Sequence, residues 1–445
     1  MKLIKKIRYY FRLFPVFIKK QRRTILLGFI VGGLIFYLAP KLYFQVFQKK
    51  IERIGLVGRF QASNLPLEIQ EKISLGLTKI NASKEVEPSL AGSWSAKKSG
   101  KEYHFTLKEN LYWQDGSPLT AKEINYNFSD VTTTVINEKT LVFQLLEPFS
   151  PFPTIVSRPV FKKGLVGVGE YRVKSLSRQG EIVEEIILVP NDSSKPILNY
   201  RLYPNETAAI TAFKLGEIDT LKNINSSEKF ELWPEIKITE KVEKNQYVAL
   251  FFNTQSNRLS DKSFRQALAY SIKKDWSSRA ISPISPLSWA YNPSVKDYDY
   301  DLENAKTLFK KSFEEDEEGQ EKIEIVLTTT PSLLKEAEKI ASDWLQLGIE
   351  TKVRLASTLE EDFEVLLLTQ TIPIDPDQYS FWHSTQVNNI TGYKNPKIDK
   401  LLEDGRKTLN QKEREKFYDD FQRFIVEETP AIFLFHPIVY TIERQ

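Results

Sequence analysis

Residues 323–355 read IEIVLTTTPSLLKEAEKIASDWLQLGIETKVRL. The opening IEIVLT has the apolar, β-branched character of a strand, and Thr330-Pro331 supplies a helix cap followed by proline at the first helical position. Leu334, Ala337, Ile340, Ala341, Trp344 and Leu345 then recur at helical spacing. Gly348 is a stop, and Ile349, Thr351, Val353 and Leu355 alternate as a second strand. The unit is a β-α-β crossover. A further apolar run at 363–368 predicts another buried strand, so this half should hold a substantially parallel sheet flanked by helices. The fold class is α/β.

Working outward, punctuation keeps alternating strand with helix. Tyr103, Phe105 and Leu107 alternate with polar residues, Asp115-Gly116 supplies a turn, and Thr120 to Glu123 fits a capping box at the start of a short helix. One amphipathic helix opens at Asn395-Pro396 with Ile398, Leu401 and Leu402. The next carries Phe417, Phe421, Phe424 and Ile425 and ends at Pro430, ahead of a closing strand at 431–435. The acidic run at 314–321 reads as a solvated loop.

Composition narrows the function classes. The 445 residues are 41% hydrophobic and 12% aromatic, which is incompatible with disorder. The formal charge of +4 conceals an asymmetry, because 12 of the 62 basic residues and no acid lie in the first 50 positions, leaving 50 basic against 58 acidic side chains in the body. A basic stretch beside an apolar one, on an acidic body, argues against nucleic-acid binding. The absence of cysteine excludes disulfides, thiolate metal sites and a lipid-bearing Cys. His104, His383 and His436 are far apart in sequence, which argues against a histidine zinc site, and no cofactor is expected.

Residues 25–39 read ILLGFIVGGLIFYLA without a charge, and apolar character resumes after Pro40 and Lys41. Residues 24–47 can span about 30 Å of hydrocarbon as a helix. Nine basic residues precede them, so residues 1–23 read as a basic cytoplasmic leader, and the body lies outside. Tyr37-Leu38-Ala39 before Pro40 is a poor cleavage signal, which favours an uncleaved single-pass anchor in the cell membrane.

Six segments in order resemble the family 5 extracellular solute-binding proteins, the oligopeptide, dipeptide and nickel group of binding-protein-dependent transporters. SLAGSW at 89–94 looks like the family's P-x-L-A-x-S-W start. DGSPLTA at 115–121 looks like F-x-D-G-x-P-L-T-A, and GVGEY at 167–171 is similar to G-T-G-P-Y with two differences. LGEID at 215–219 resembles G-E-I-D, while FNT at 252–254 and RQAL at 265–268 resemble the next two elements. The resemblance covers nearly all of residues 54–437. It implies a two-lobed periplasmic-binding-protein type II-like fold with hinge strands: lobe one at 51–246 plus 430–445, lobe two at 247–429, and ligand between them.

What the resemblance implies for function is a membrane-anchored extracytoplasmic substrate-binding component of an ABC transporter, capturing oligopeptides and working as a monomer with permease and ATPase subunits. The alternative is a non-transport envelope interaction or peptide-sensing module on the same fold. Ligand contacts expected on aromatic and polar grounds are Trp289, Tyr291, Trp382, Asn389 and Tyr393, with Asn253 resembling the family's hinge-strand Asn. Peptide-binding relatives commonly place an Asp three residues before an Asp-Pro pair, to hold the peptide's amino group. Here Asp375-Pro376 is preceded at that offset by Ile372, leaving Asp375 or Asp377 as substitutes. Ser-x-x-Lys matches at 95–98, 226–229 and 271–274 lack companion motifs, and catalysis is not expected.

With the leader inside and the body outside, protease added to spheroplasts should digest the body and leave a membrane-bound fragment of the first residues. Recovery of a mature chain beginning near Pro40 would overturn the uncleaved anchor.

Overall fold

The computed structural model describes residues 20–24, 26–28, 31–34, 36–37, 50–256, 258–312, 323–356 and 363–445. Contacts divide the chain into Met1–Ile51 with Asp192–Ile197, and Glu52–Asn191 with Leu198–Gln445. In the first unit the described residues between 20 and 37 are helical, with Leu26, Leu27, Val31, Leu34, Phe36 and Tyr37 exposed. Much of the expected span at 24–47 lies outside the described residues. Among the described residues, no helix is long and apolar enough to cross a membrane.

The second unit is built on sheets. A seven-stranded sheet runs in the order Ile236–Val242, Ile438–Arg444, Thr220–Ile224, Ile51–Val57, Ile197–Tyr203, Ile182–Pro190, Tyr171–Gln179. A five-stranded sheet runs Ile349–Leu355, Ile323–Thr329, Val365–Thr371, Gln246–Phe252, Ala431–Phe435. A four-stranded antiparallel sheet, Ala91–Lys97, Glu102–Leu107, Thr140–Leu145, Val131–Val135, packs its own core around Tyr103, Phe105, Phe143 and Phe152.

The 323–355 unit folds as its periodicity predicts. Strands Ile323–Thr329 and Ile349–Leu355 pair in parallel, Ile323 opposite Ile349 through Thr329 opposite Leu355. The linking helix is Leu334–Leu345, after a 3-10 turn at Pro331–Leu333. Ala337, Ile340 and Trp344 are buried, and Gly348 holds φ +81°, the left-handed conformation glycine adopts cheaply. Leu345 departs from the expected stripe and is 63% exposed. Its place in the interior goes to Asp343, whose carboxylate accepts the Lys273 backbone N–H at 2.9 Å.

Parallel pairing ends at Val365–Thr371. The next strand, Gln246–Phe252, runs antiparallel to it and is antiparallel to Ala431–Phe435 on its other edge, so the sheet is mixed. The final segment is divided between sheets: Ala431–Phe435 joins the five-stranded one, and Ile438–Arg444 enters the seven-stranded one.

Three of the resembling motifs have architectural explanations. Gly167 and Gly169 lie so close to the Ile73 and Lys72 carbonyls, at the end of helix Leu67–Ile73, that a methyl group at either position would collide with backbone. Gln114 ties this junction, donating to the carbonyls of Ile73 at 3.1 Å, Gly169 at 3.1 Å and Tyr171 at 2.6 Å. Thr120 and Glu123 form the expected capping box, and the short helix it opens is a single 3-10 turn, Ala121–Glu123. Glu123 also accepts the Trp113 indole N–H at 3.1 Å.

In RQAL, Arg265 is 2% exposed and faces no buried acid. Its guanidinium donates to the carbonyls of Leu259 at 2.7 Å, Ser260 at 2.8 Å, Glu428 at 2.7 Å and Thr429 at 3.0 Å. Thr429 is the left-handed cap of helix Gln411–Glu428, with φ +51°. Four carbonyls, two of them buried, lose this donor if the side chain is cut back. Arg265→Met should therefore lower unfolding free energy by about 2–4 kcal/mol, measured by denaturant titration of the purified chain. A loss below about 1 kcal/mol would mean that water or other donors replace it.

Candidate functional site

The site forms where strand Val365–Thr371 ends and the chain turns through 373–380 toward helix Pro396–Lys407. A cleft of about 790 Å³ lies there. One wall comes from 67–89, at the end of helix Leu67–Ile73 and the small hairpin of Thr78–Ile80 with Val86–Pro88. A second comes from 149–159, and the third from 373–380 with Arg406. Phe149, Ile155, Pro159, Pro373 and Ile374 give it an apolar lining.

Asp375 and Asp377 both line the cleft, and each is already matched by an arginine. Arg414 reaches Asp375 through both terminal nitrogens, at 2.6 and 3.2 Å, and donates to the Tyr418 hydroxyl at 3.1 Å. Burial opposes the charge on Arg414, but Asp375 and Tyr418 outweigh it and raise its pKa. Arg406 donates to Asp377 at 2.8 and 3.0 Å and lies over the Tyr379 ring at 3.9 Å. Burial nevertheless pushes the Asp377 carboxyl up, with Arg406 pulling the other way. The Asp375 carboxylate also accepts the Asp377 backbone N–H at 3.0 Å, so this Asx turn holds both acids in place.

Ile372 is absent from the cleft lining. It is 4% exposed, packs in the core of the five-stranded sheet, and its N–H is bonded to Asn245 O at 2.8 Å. Occupying the offset of the family's clamp has not given it a place in the cavity.

The other expected contacts also lie outside the cleft lining. Trp289 and Tyr291 pack against the core of the five-stranded sheet, with Trp289 edge-on to Tyr418 at 6.2 Å and the Arg414 guanidinium 5.2 Å from its ring. Trp382 is 3% exposed, stacked near Phe251 at 6.3 Å, and its indole N–H has no partner among the described residues. Asn389 donates to Tyr393 O at 2.8 Å and accepts from Thr391. Tyr393 donates to Glu428 at 2.8 Å, and burial pushes its phenol up to about 12. Asn253 donates to Phe363 O at 3.0 Å and accepts from Gln255 N–H, which is a turn-fixing role.

Residues that sequence reasoning passed over include Glu71, Lys79, Lys84, Arg158 and Arg406, all on the cleft, and Arg414 behind it. Only Arg414 carried a signal. It sits four residues before Tyr418 and seven before Phe421 on the buried face of its helix, and a charge on an apolar stripe implies a buried partner.

Comparison with known proteins agrees with this architecture. The oligopeptide-binding protein AppA of Bacillus subtilis is 22% identical over 459 residues, covering 85% of this chain and 83% of AppA. Its structure with a nonapeptide superposes with a TM-score of 0.69 at 20% identity, covering 89% of this chain and 95% of that one. NikZ of Campylobacter jejuni, solved with Ni(L-His), gives 0.73 at 22% identity and covers 90% and 95% respectively. The family described as Bacterial extracellular solute-binding proteins, family 5 Middle, matches residues 85–391, about two thirds of the sequence. The chain belongs to the family 5 bacterial extracellular solute-binding proteins.

Proposed function

We propose that this protein is the extracytoplasmic binding component of an ABC transporter, anchored by residues 24–47 and holding a peptide in the cleft. The observation that carries the reading is a roomy, partly apolar cleft lined from three directions, in a chain whose relative AppA is an oligopeptide-binding protein. Clefts of this size commonly bury an extended small ligand, and no chemistry on it is required. Mass spectrometry of small molecules released from the purified full chain on denaturation tests the reading. Recovery of metal chelates with no peptide would overturn it.

The paired acids support a more specific reading. Asp375 and Asp377 are each engaged by a buried or half-buried arginine, so neither is free to neutralise a peptide's amino group. Recognition therefore does not depend on a free amine. Calorimetry should find free and N-acetylated forms of one peptide bound within about twofold of each other. Arg414→Gln releases Asp375, and should create a free-amine preference of about tenfold, or about 1.4 kcal/mol. A strong free-amine preference in the unmodified protein would overturn this. Ile372→Asp should create no clamp, because it puts an acid into the core and costs stability.

Binding is proposed to close two lobes about a hinge near residues 244–253. Support comes from the two crossings between the sheets, 243–245 and 436–437, which run side by side: Glu243 N–H donates to Pro437 O at 2.8 Å, and the His436 ring bonds Gln246 O at 2.6 Å. Rotation about two adjacent short segments is the geometry of a hinge. With no native thiol to compete, dyes on Thr133→Cys and Glu338→Cys should give a higher energy-transfer efficiency at saturating peptide. Unchanged efficiency at saturation would exclude closure.

A further inference from the structure

The cleft's charges can be matched one against another. Asp375 is held by Arg414, Asp377 by Arg406, and Lys79 by Glu87 at 3.1 Å. Of the charged residues lining the cleft, Lys84, Arg158 and Glu71 remain. Among the described residues, Lys84 and Arg158 have no carboxylate within ion-pairing distance. Burial raises the Glu71 carboxyl pKa, while Lys72 and Lys84 lower it. The balance is cationic even with Glu71 ionised, in a cavity whose uncharged lining mixes apolar side chains with Ser, Thr and Asn.

The two cations stand on built turns on different walls. Lys84 occupies the tip of the hairpin between Thr78–Ile80 and Val86–Pro88 at φ +62°, with its N–H bonded to Asn81 O at 3.1 Å. The Asn81 side chain accepts the N–H groups of Ser83 and Glu85, both at 2.9 Å, which fixes that tip. Arg158 follows helix Phe152–Ile155, with its N–H turned back to Ile155 O, and the chain after Pro159 is tied down by Val160 N–H to Leu75 O at 3.0 Å. A guanidinium and an ammonium lining one cleft from two walls attract an anion, and guanidinium geometry suits a carboxylate.

We infer that the cleft takes a ligand whose charge is a carboxylate, with its amine blocked or absent, held by Lys84 and Arg158. This rests on the peptide-binding reading and names the chemistry of the ligand. A carboxylate at the chain end and one on an acidic side chain offer the same group, and the test separates them.

Four probes are titrated into the full chain in detergent micelles: acetyl-tetra-alanine acid, acetyl-tetra-alanine amide, acetyl-Ala-Glu-Ala-Ala-amide, and tetra-alanine amide with a free amine. The acetylated acid should bind at least tenfold more tightly than the doubly blocked amide, and more weakly as salt rises. Lys84→Gln and Arg158→Gln should each bring the acid and amide closer, and together make them equal. Neither substitution breaks an ion pair, so the thermal midpoint should stay put and separate lost recognition from lost folding. Recovery of affinity by the glutamate peptide amide extends the site to side-chain carboxylates, and failure to recover it assigns the site to the chain end. Equal binding of acid and doubly blocked amide would overturn the inference while leaving peptide binding intact. Tightest binding of the free-amine probe would overturn it too. Binding of none of the four removes the peptide reading and this inference with it.

Discussion

The guanidinium of Arg265 is the constraint on which the second half of the molecule depends. Its four carbonyl bonds gather the residues ahead of helix Lys262–Ser271, the end of helix Gln411–Glu428, and the left-handed cap at Thr429. Pro430 and strand Ala431–Phe435 leave from that point, so the bonds set where the strand meets Gln246–Phe252. The neighbouring Gln266 adds bonds to the Tyr298 hydroxyl and Glu427 O, both at 3.0 Å. A charge without a buried counter-ion is tolerable here because carbonyl dipoles surround it.

The cleft uses arginine differently. Arg406 and Arg414 each face a carboxylate, and the two pairs, joined by the Asx turn at 375–377, form a wall that is polar in composition and nearly neutral in charge. Such a wall excludes neither sign of ligand. On the reading proposed above, selectivity falls to the remaining cations on the other walls, Lys84 at the hairpin tip and Arg158.

Much of this fold was legible because the features that made it so are local. The β-α-β unit at 323–355 shows two periodicities with a proline and a glycine between them, and the motifs at 115–123 and 167–171 report turns, caps and close backbone approaches. The site was far less legible. The partners of Asp375 and Asp377 lie 39 and 29 residues away, beyond any local pattern. Trp289, Tyr291 and Trp382 illustrate a second limit, since a large ring that packs a core and one that packs a ligand have the same sequence signature. Asp343 replacing Leu345 in the interior was hidden for a related reason, because its acceptor role concerns Lys273, 70 residues earlier.

The position of the last strand bears on the order in which the chain can be completed. Ile438–Arg444 lies inside the seven-stranded sheet, between Ile236–Val242 and Thr220–Ile224, with seven paired positions on the first of these edges. Until Ile438–Arg444 docks, those two edges stand open, with unpaired backbone groups available to any other strand. A chain clipped before Ile438 therefore exposes a gap one strand wide, with an open edge on either side. The assembly of this sheet is governed by the arrival of Ile438–Arg444, so the interval between the appearance of Val242 and that of Arg444 outside the membrane is the period in which the proposed extracytoplasmic body is most open to misassembly.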